Sequence, residues 1–312
     1  MSEVNFKNRV AIVTGAGGGL GRSHAIELAK RGVKVVVNDL GGAVDGSGGS
    51  QSMAEQVVAE IKAAGGDAIA NGANVTKADE VNAMVKAAID TWGHVDILVN
   101  NAGILRDKSF SKMELDDFKL VLDVHLMGSV NCTKAVWNHM KERQFGRIVM
   151  TTSSSGNYGN FGQTNYGAAK TGVVGFMNTL CLEGAKYDIR VNCLSPTATT
   201  RMTEDILPDD VLGLLTVESV TAGLIPLVCD DAPNRLIMCA GAGGYAATKV
   251  YETPGIFLPP AQQTAENVML NLEKIRDGAG QKEFKSGSEQ TMKFVTQAAQ
   301  GSGRLAKLDA KL

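Results

Sequence analysis

Tyr166-Gly-Ala-Ala-Lys170 places a phenol and an ammonium four residues apart. On a helix that spacing puts both side chains on one face. A free tyrosine titrates near about 10, too high for a general base at neutral pH. A nearby cation favours the phenolate and lowers that value by roughly 1–3 units. The pair therefore reads as a proton-transfer device. The pattern alone is weak, because a second copy stands at Tyr245-Ala-Ala-Thr-Lys249. Ser153 separates the two. It lies thirteen residues before Tyr166, in Thr151-Thr-Ser-Ser-Ser155 at the end of a predicted strand, whereas Ala232 holds the matching place before Tyr245. A serine hydroxyl there can hydrogen-bond a substrate carbonyl. Ser153, Tyr166 and Lys170 are the catalytic candidates, and Tyr245 and Lys249 are expected to be structural.

A second constellation can hold a dinucleotide. Thr14-Gly15-Ala-Gly-Gly18-Gly19-Leu20-Gly21 closes a predicted strand and opens a helix. Glycine allows a tight turn and close backbone approach to a pyrophosphate, and the helix N-terminus offers N–H groups and a positive dipole end. The next strand ends in Asp39. A carboxylate there accepts the ribose hydroxyls of NAD and repels the 2′-phosphate of NADP. Basic residues that would hold that phosphate are absent from the two expected places, which are Gly18 and Leu40. The expected cofactor is NAD.

These residues need a scaffold that brings strand ends together. Continuous apolar runs predict strands at Val10–Thr14, Val33–Asn38, Asp67–Gly72, Ile97–Asn100, Arg147–Thr151 and Arg190–Leu194, with Leu236–Cys239 as the last. Helical spacing predicts helices at Leu20–Arg31, Ser52–Ala64, Lys77–Trp92, Glu114–Glu142, Asn165–Ala185 and Glu218–Cys229. The alternation predicts an α/β fold, a Rossmann-like doubly wound parallel sheet of about seven strands. Residues 1–250 read as one catalytic domain. Residues 251–312 read as a helical extension, with helices at Glu266–Lys274 and Ser288–Gln300, packed on the domain or on a partner subunit.

The glycine turn, Asn100-Asn101-Ala102-Gly103, Ser153 and Tyr166-xxx-Lys170 stand in the order and spacing of the short-chain dehydrogenase/reductase family, which the chain resembles. Val36-Val-Asn-Asp-Leu-Gly-Gly42, Asn101-Ala-Gly-Ile-Leu-Arg-Asp107, Gly156-Asn-Tyr-Gly-Asn-Phe-Gly-Gln163 and Arg201-Met-Thr203 resemble one branch of it. That branch holds the (3R)-hydroxyacyl-CoA dehydrogenase units of peroxisomal multifunctional enzymes type 2 and their free-standing bacterial relatives. The resemblance implies Tyr166 as general base in oxidation and acid in reduction. Lys170 would lower its pKa and hold the nicotinamide ribose, and Ser153 would polarise the reacting C–O bond. It further implies that Asn101, Ala102, Gly103 and Thr199 line the cofactor, and that Asn74 and Val75 sit at the adenine, with Asn74 meeting the base amine. Homodimers or homotetramers and pro-S hydride transfer are also implied.

Two departures stand out. His125, in Val124-His-Leu-Met-Gly128, replaces the usual Asn of the family's catalytic tetrad. It can hold a water on a relay from Lys170, which would add a group titrating near neutral pH, or it can be a packed interior histidine. Pro196-Thr197 replaces the usual Pro-Gly.

Thr199–Val217 contains Met202, Ile206, Leu207, Leu212, Leu214 and Leu215. With Tyr158 and Phe161 these residues can cover a pocket suited to a fatty acyl chain or a steroid, or they can pack only on the domain. Arg106, Lys108, Arg201 and Lys249 can meet CoA phosphates or be simply solvated. The expected activity is NAD-dependent oxidation of (3R)-3-hydroxyacyl-CoA. The alternatives are a 17β-hydroxysteroid dehydrogenase, a 3-oxoacyl carrier-protein reductase and a non-catalytic NAD-binding regulator.

The chain has 31 Lys+Arg against 33 Asp+Glu and a net charge of −2, which gives no electrostatic case for nucleic acid. Its hydrophobic fraction of 44% is an ordinary globular value. No apolar run approaches a membrane span, and the first nine residues carry no secretory signal. The 5 cysteines form no CxxC pair, so neither disulfides nor a metal are expected. Cytoplasmic placement is expected, with a peroxisomal alternative from the C-terminal Ala310-Lys-Leu312.

Overall fold

The computed structural model describes residues 6, 8–48, 52–199 and 212–302. Met202 and the C-terminal tripeptide lie outside them. The chain divides into two compact units, Met1–Thr248 and Lys249–Leu312.

The larger unit is built on one sheet of eight strands in the order β3-β2-β1-β4-β5-β6-β7-β8. β1 (Val10–Thr14), β2 (Lys34–Asn38), β3 (Ala68–Asn71), β4 (Ile97–Asn100), β5 (Gly146–Thr151), β6 (Ile189–Thr197) and β7 (Ile237–Gly241) run parallel. Every residue of β1, β4 and β5 is buried, as strands covered on both faces require. Alternate residues feed two cores. Ala11, Val13, Val35, Val37 and Val149 pack with Leu28, Val57 and Leu224. Ile12, Val36, Leu98, Ile148 and Met150 pack with Met84, Val136 and Met177. The first layer is covered by α1 (Gly19–Lys30), α2 (Ser52–Ala63) and α8 (Val217–Val228), and the second by α3 (Ala78–Trp92), α5 (Gly128–Arg143) and α7 (Thr164–Gly184). The strand order reverses between β1 and β4, and open α/β sheets bind ligands beyond the strand ends at such a reversal.

Three features depart from the sequence-based reading. An eighth strand, β8 (Gly244–Thr248), pairs antiparallel with β7. Its connection is a two-residue turn with positive φ at Ala242 (49°) and Gly243 (75°), the geometry of a tight hairpin. Tyr245 therefore lies on a strand, where four residues span about 13 Å, and it cannot share a helix face with Lys249. Second, the helix expected over Glu114–Glu142 is α4 (Leu115–Leu122), a π turn at Asp123–Met127 and then α5. Third, β6 continues through Pro196-Thr197, so those residues extend a strand where a loop was expected.

The smaller unit holds α9 (Ala265–Leu270), α10 (Leu272–Arg276) and α11 (Gly287–Gly301). A bridge between Glu252 and Lys282 closes it, and Lys293 Nζ donates to Glu252 (2.7 Å) and to Thr253 O (2.6 Å). Among the described residues no helix is long and apolar enough to cross a membrane.

Candidate active site

The glycine turn sits at the C-terminal end of β1. Asn101 Nδ2 donates to Thr14 O (3.0 Å) and Gly15 O (3.1 Å), while Thr14 Oγ1 accepts from the N–H groups of Asn101 (3.0 Å) and Ala102 (3.1 Å). Asn101 thus braces the turn. A side chain at Gly21 would lie 2.1 Å from Gly15 O, so this place admits glycine alone. Gly18 holds the N-cap place of α1 and provides no side-chain cap, and Gly19, Leu20 and Gly21 form the first turn. An uncapped N-terminus in a glycine cradle suits a pyrophosphate.

Asp39 follows β2. Its Oδ2 accepts from Gly17 N–H (2.7 Å) and its Oδ1 from Gly41 N–H (2.6 Å). These two glycines, missed in the sequence, fix the carboxylate beside the turn. Leu40 is partly exposed next to it. Asn74 differs from its expected use. Its Oδ1 accepts from Thr76 N–H (3.0 Å) and Thr76 Oγ1 (2.9 Å), so the oxygen meant for the adenine amine is engaged and Nδ2 remains. Val75 is buried, and its carbonyl accepts from Asn131 Nδ2 (2.9 Å).

Ser153, Tyr166, Lys170 and His125 come together at the ends of β4 and β5. Ser153 is the N-cap of α6 (Ser154–Tyr158), where its Oγ accepts from Ser155 N–H (3.2 Å). Tyr166 stands in the first turn of α7, and the Ser153 side chain acts to favour its phenolate. Lys170 is buried, its Nζ 5.3 Å from the Tyr166 ring centroid and donating to Thr151 O (2.6 Å). His125, in the π turn, meets the Tyr166 ring edge-on at 5.1 Å. Among the described residues its Nδ1 is buried with no hydrogen-bond partner. A side chain at Gly103 would lie 2.3 Å from His125 Cε1, so the last glycine of Asn-Ala-Gly makes room for this ring.

The electrostatics reverse two expectations. Burial pushes the Tyr166 phenol up to about 12, against the Ser153 hydrogen bond, and the Asp107 carboxylate adds to the rise. Burial also brings the Lys170 ammonium down to about 7. His125 is held well below its ordinary value, by burial first and by Lys170 second, so it does not titrate near neutral pH.

On the substrate side, Tyr158, Phe161, Thr199 and Leu214 lie among the described residues. Tyr158 is 73% exposed and Phe161 90%, so neither walls a closed pocket. Tyr158 Oη lies 3.0 Å from Thr248 Oγ1. The Thr199 hydroxyl donates to Leu212 O (2.8 Å) and its N–H to Leu215 O (2.7 Å), which ties it to the residues just before α8. Leu214 is exposed. Arg106 (2.6 Å) and Lys108 (3.3 Å) both pair with Asp117, and Lys249 pairs with Glu283 (2.8 Å), which leaves none of the three as an unpaired cation for CoA.

The family model for short chain dehydrogenases matches residues 9–210. A Mycobacterium tuberculosis protein named as a short-chain type dehydrogenase/reductase is 48% identical over 280 residues, 88% of this chain and 96% of its own length. Mouse peroxisomal multifunctional enzyme type 2 is 45% identical over 280 residues, 88% of this chain but only 38% of that enzyme. Among solved structures, the full-length peroxisomal multifunctional enzyme type 2 of Drosophila melanogaster matches with a TM-score of 0.78 and 34% identity, over 97% of this chain and 50% of that one. A 7α-hydroxysteroid dehydrogenase complexed with NADH and 7-oxo glycochenodeoxycholic acid matches with a TM-score of 0.70 and 26% identity, over 78% of this chain and 98% of its own.

Proposed function

The chain belongs to the short-chain dehydrogenase family, and from that membership we propose that it oxidises (3R)-3-hydroxyacyl-CoA to 3-oxoacyl-CoA with NAD. One observation carries the chemistry: Tyr166 shares a helix face with Lys170, whose Nζ lies 5.3 Å from the phenol ring centroid, at the C-terminal edge of the sheet beside Ser153. The substrate class is supported by the similarity to multifunctional enzymes type 2.

The glycine cradle, Asp39, Asn101 and the Asn74–Val75 turn would hold the cofactor, with Asn74 Nδ2 toward the adenine. NAD, when bound, supplies the hydride acceptor. Ser153 holds the alcohol oxygen by a hydrogen bond. Tyr166, its own proton first handed on toward Lys170, takes the hydroxyl proton as phenolate while the carbon gives up its hydride, so the C–H and O–H bonds break and the C=O forms. The ketone leaves, and the proton returns to solvent. Lys170, brought down to about 7, is poised to pass that proton at neutral pH, and the unpartnered Nδ1 of His125 suits the water of such a relay. In reduction the Tyr166 phenol gives the proton back.

NADH formation at 340 nm with (3R)- and (3S)-3-hydroxyacyl-CoA and with estradiol, each with NAD or NADP, tests the proposal. Turnover of the 3R thioester with NAD is the expected result. Turnover of estradiol alone would replace the thioester with a steroid, a substrate type also bound by the hydroxysteroid dehydrogenase of similar fold. The proposed assembly is a homodimer or homotetramer, read out by sedimentation. Cytoplasmic placement is retained for the chain. The multifunctional relatives are named as peroxisomal, so a reporter carrying the last residues decides whether the tripeptide is a working address.

A further inference from the structure

The segment after Asn-Ala-Gly is held from three directions. On the cofactor side, Leu105 N–H donates to Val44 O (2.9 Å) and Arg106 Nε to Asp45 O (2.9 Å). From the π turn, His125 Nε2 meets the Ile104 backbone. From α7, Asn165 Nδ2 donates to Arg106 O (3.0 Å), and Lys108 N–H donates to Gly162 O (2.9 Å).

The last tie on the α7 side is made by side chains alone. Gln163 occupies the N-cap place of α7, three residues before Tyr166. Its Nε2 donates to Asp107 Oδ2 (2.6 Å), and its Oε1 accepts from Ser155 Oγ (2.7 Å) and Asn160 Nδ2 (3.2 Å). Ser155 N–H in turn donates to Ser153 Oγ (3.2 Å). A continuous chain therefore runs from Ser153 through Ser155 and Gln163 to Asp107, and it brackets the first turn of the helix that carries Tyr166.

We propose that Asp107 and Gln163 are positioning residues for proton transfer: Gln163 locks the first turn of α7 to the Ser153 turn and to the segment 104–108, and Asp107 sets a negative charge at that helix end. This rests on the reading of Tyr166 as the base. The groups that face Tyr166 are Lys170 on its own helix, His125 from the π turn, Ser153 from the end of β5 and Asp107 from the segment after β4. Among the described residues Asp107 is the carboxylate that acts on Tyr166. Its charge opposes formation of the phenolate. It also suits the positive dipole end of a 21-residue helix. Asp107 thus trades readiness of the base for a fixed helix start.

The test is the pH dependence of kcat and kcat/KM for oxidation of (3R)-3-hydroxyacyl-CoA by NAD, or of whichever alcohol the enzyme turns over, with melting temperatures alongside. Asp107→Asn keeps an acceptor for Gln163 and removes the charge. Its acid limb is expected to move down by roughly half a pH unit, since an exposed charge is screened, with the plateau kcat within about threefold of the parent. Gln163→Leu keeps the charge and breaks the chain. Its plateau kcat is expected to fall about tenfold, roughly the net value of one hydrogen bond, as the three bonds of Gln163 to Asp107, Ser155 and Asn160 are lost, while KM changes less than about threefold. Should Gln163→Leu fail to fold, Gln163→Asn, which shortens the amide, carries the same test. Tyr166→Phe is the control. An inactive Tyr166→Phe with Asp107→Asn and Gln163 variants that match the parent overturns the positioning proposal alone. An active Tyr166→Phe removes the base and overturns both.

Discussion

His125 Nε2 lies 2.8 Å from Ile104 O and 3.1 Å from Ile104 N, so one ring nitrogen faces both the acceptor and the donor of a single residue. It serves one at a time. With the proton on Nε2 it donates to the carbonyl and leaves a lone pair on the buried Nδ1. With the proton on Nδ1 it accepts from the N–H. The ring is neutral in either case, because burial holds its pKa well below the ordinary value.

Because no charge is at stake, His125→Asn is expected to retain most of kcat and to leave its pH profile in place. His125→Ala removes both Ile104 partners and Nδ1, and kcat should drop on the order of tenfold, the cost of one or two unmade buried hydrogen bonds. Steady-state kinetics from about pH 6 to about 9, which spans the Lys170 value of about 7, checks both. An unchanged kcat in His125→Ala would sink the relay role.

Gly103→Ala should inactivate the parent and lower its melting temperature, since the new methyl meets His125 Cε1 at 2.3 Å. In the His125→Ala background the same change meets an open space and should add little. A double-mutant cycle on Tm reads this coupling. Additive losses would mean that Gly103 answers to something other than the ring.

Asp39 sets the cofactor prediction. Asp39→Ala strips the carboxylate held by Gly17 and Gly41. The kcat/KM ratio of NAD over NADP is then expected to fall by about 10–100-fold, the value of charge-assisted bonds to the ribose with the repulsion of a 2′-phosphate removed. A parent enzyme that already prefers NADP would overturn the assignment.

His24 predicts an acid-labile fold. It is fully buried between α1 and α8, Nδ1 2.8 Å from Thr221 Oγ1, and burial brings its pKa from 6.5 to about 3. Between those values the unfolded chain binds the proton and the folded chain does not. Stability from this group is therefore complete above pH 6.5 and is lost as pH falls toward 3, by about 1.4 kcal/mol per unit. Urea melts at pH 7 and pH 5 should show a smaller difference for His24→Gln than for the parent. Equal differences would locate the acid sensitivity elsewhere.

The strands β1, β2, β4 and β5 were legible because they are covered on both faces and so read as unbroken apolar runs. β8 was not. Its residues are largely exposed, and Ala242 takes a positive φ that its side chain does not announce. Sequence spacing brought Ser153, Tyr166, Lys170 and Asp39 to attention, because each chemistry is tied to one element. Asp107 and Gln163 stayed hidden, since their bond joins residues 56 apart along the chain. The direction of the Tyr166 shift was hidden too. Spacing reports that a cation is near, whereas burial of both groups decides what the cation can do.

The two cores divide β1 between them. Val13 packs in the layer of α1, the helix that opens at the glycine turn, while its neighbour Ile12 packs in the layer of α7, the helix that carries Tyr166. A cavity opened at Val13 therefore loosens the layer beneath the glycine turn, and one opened at Ile12 loosens the layer that seats the helix of Tyr166.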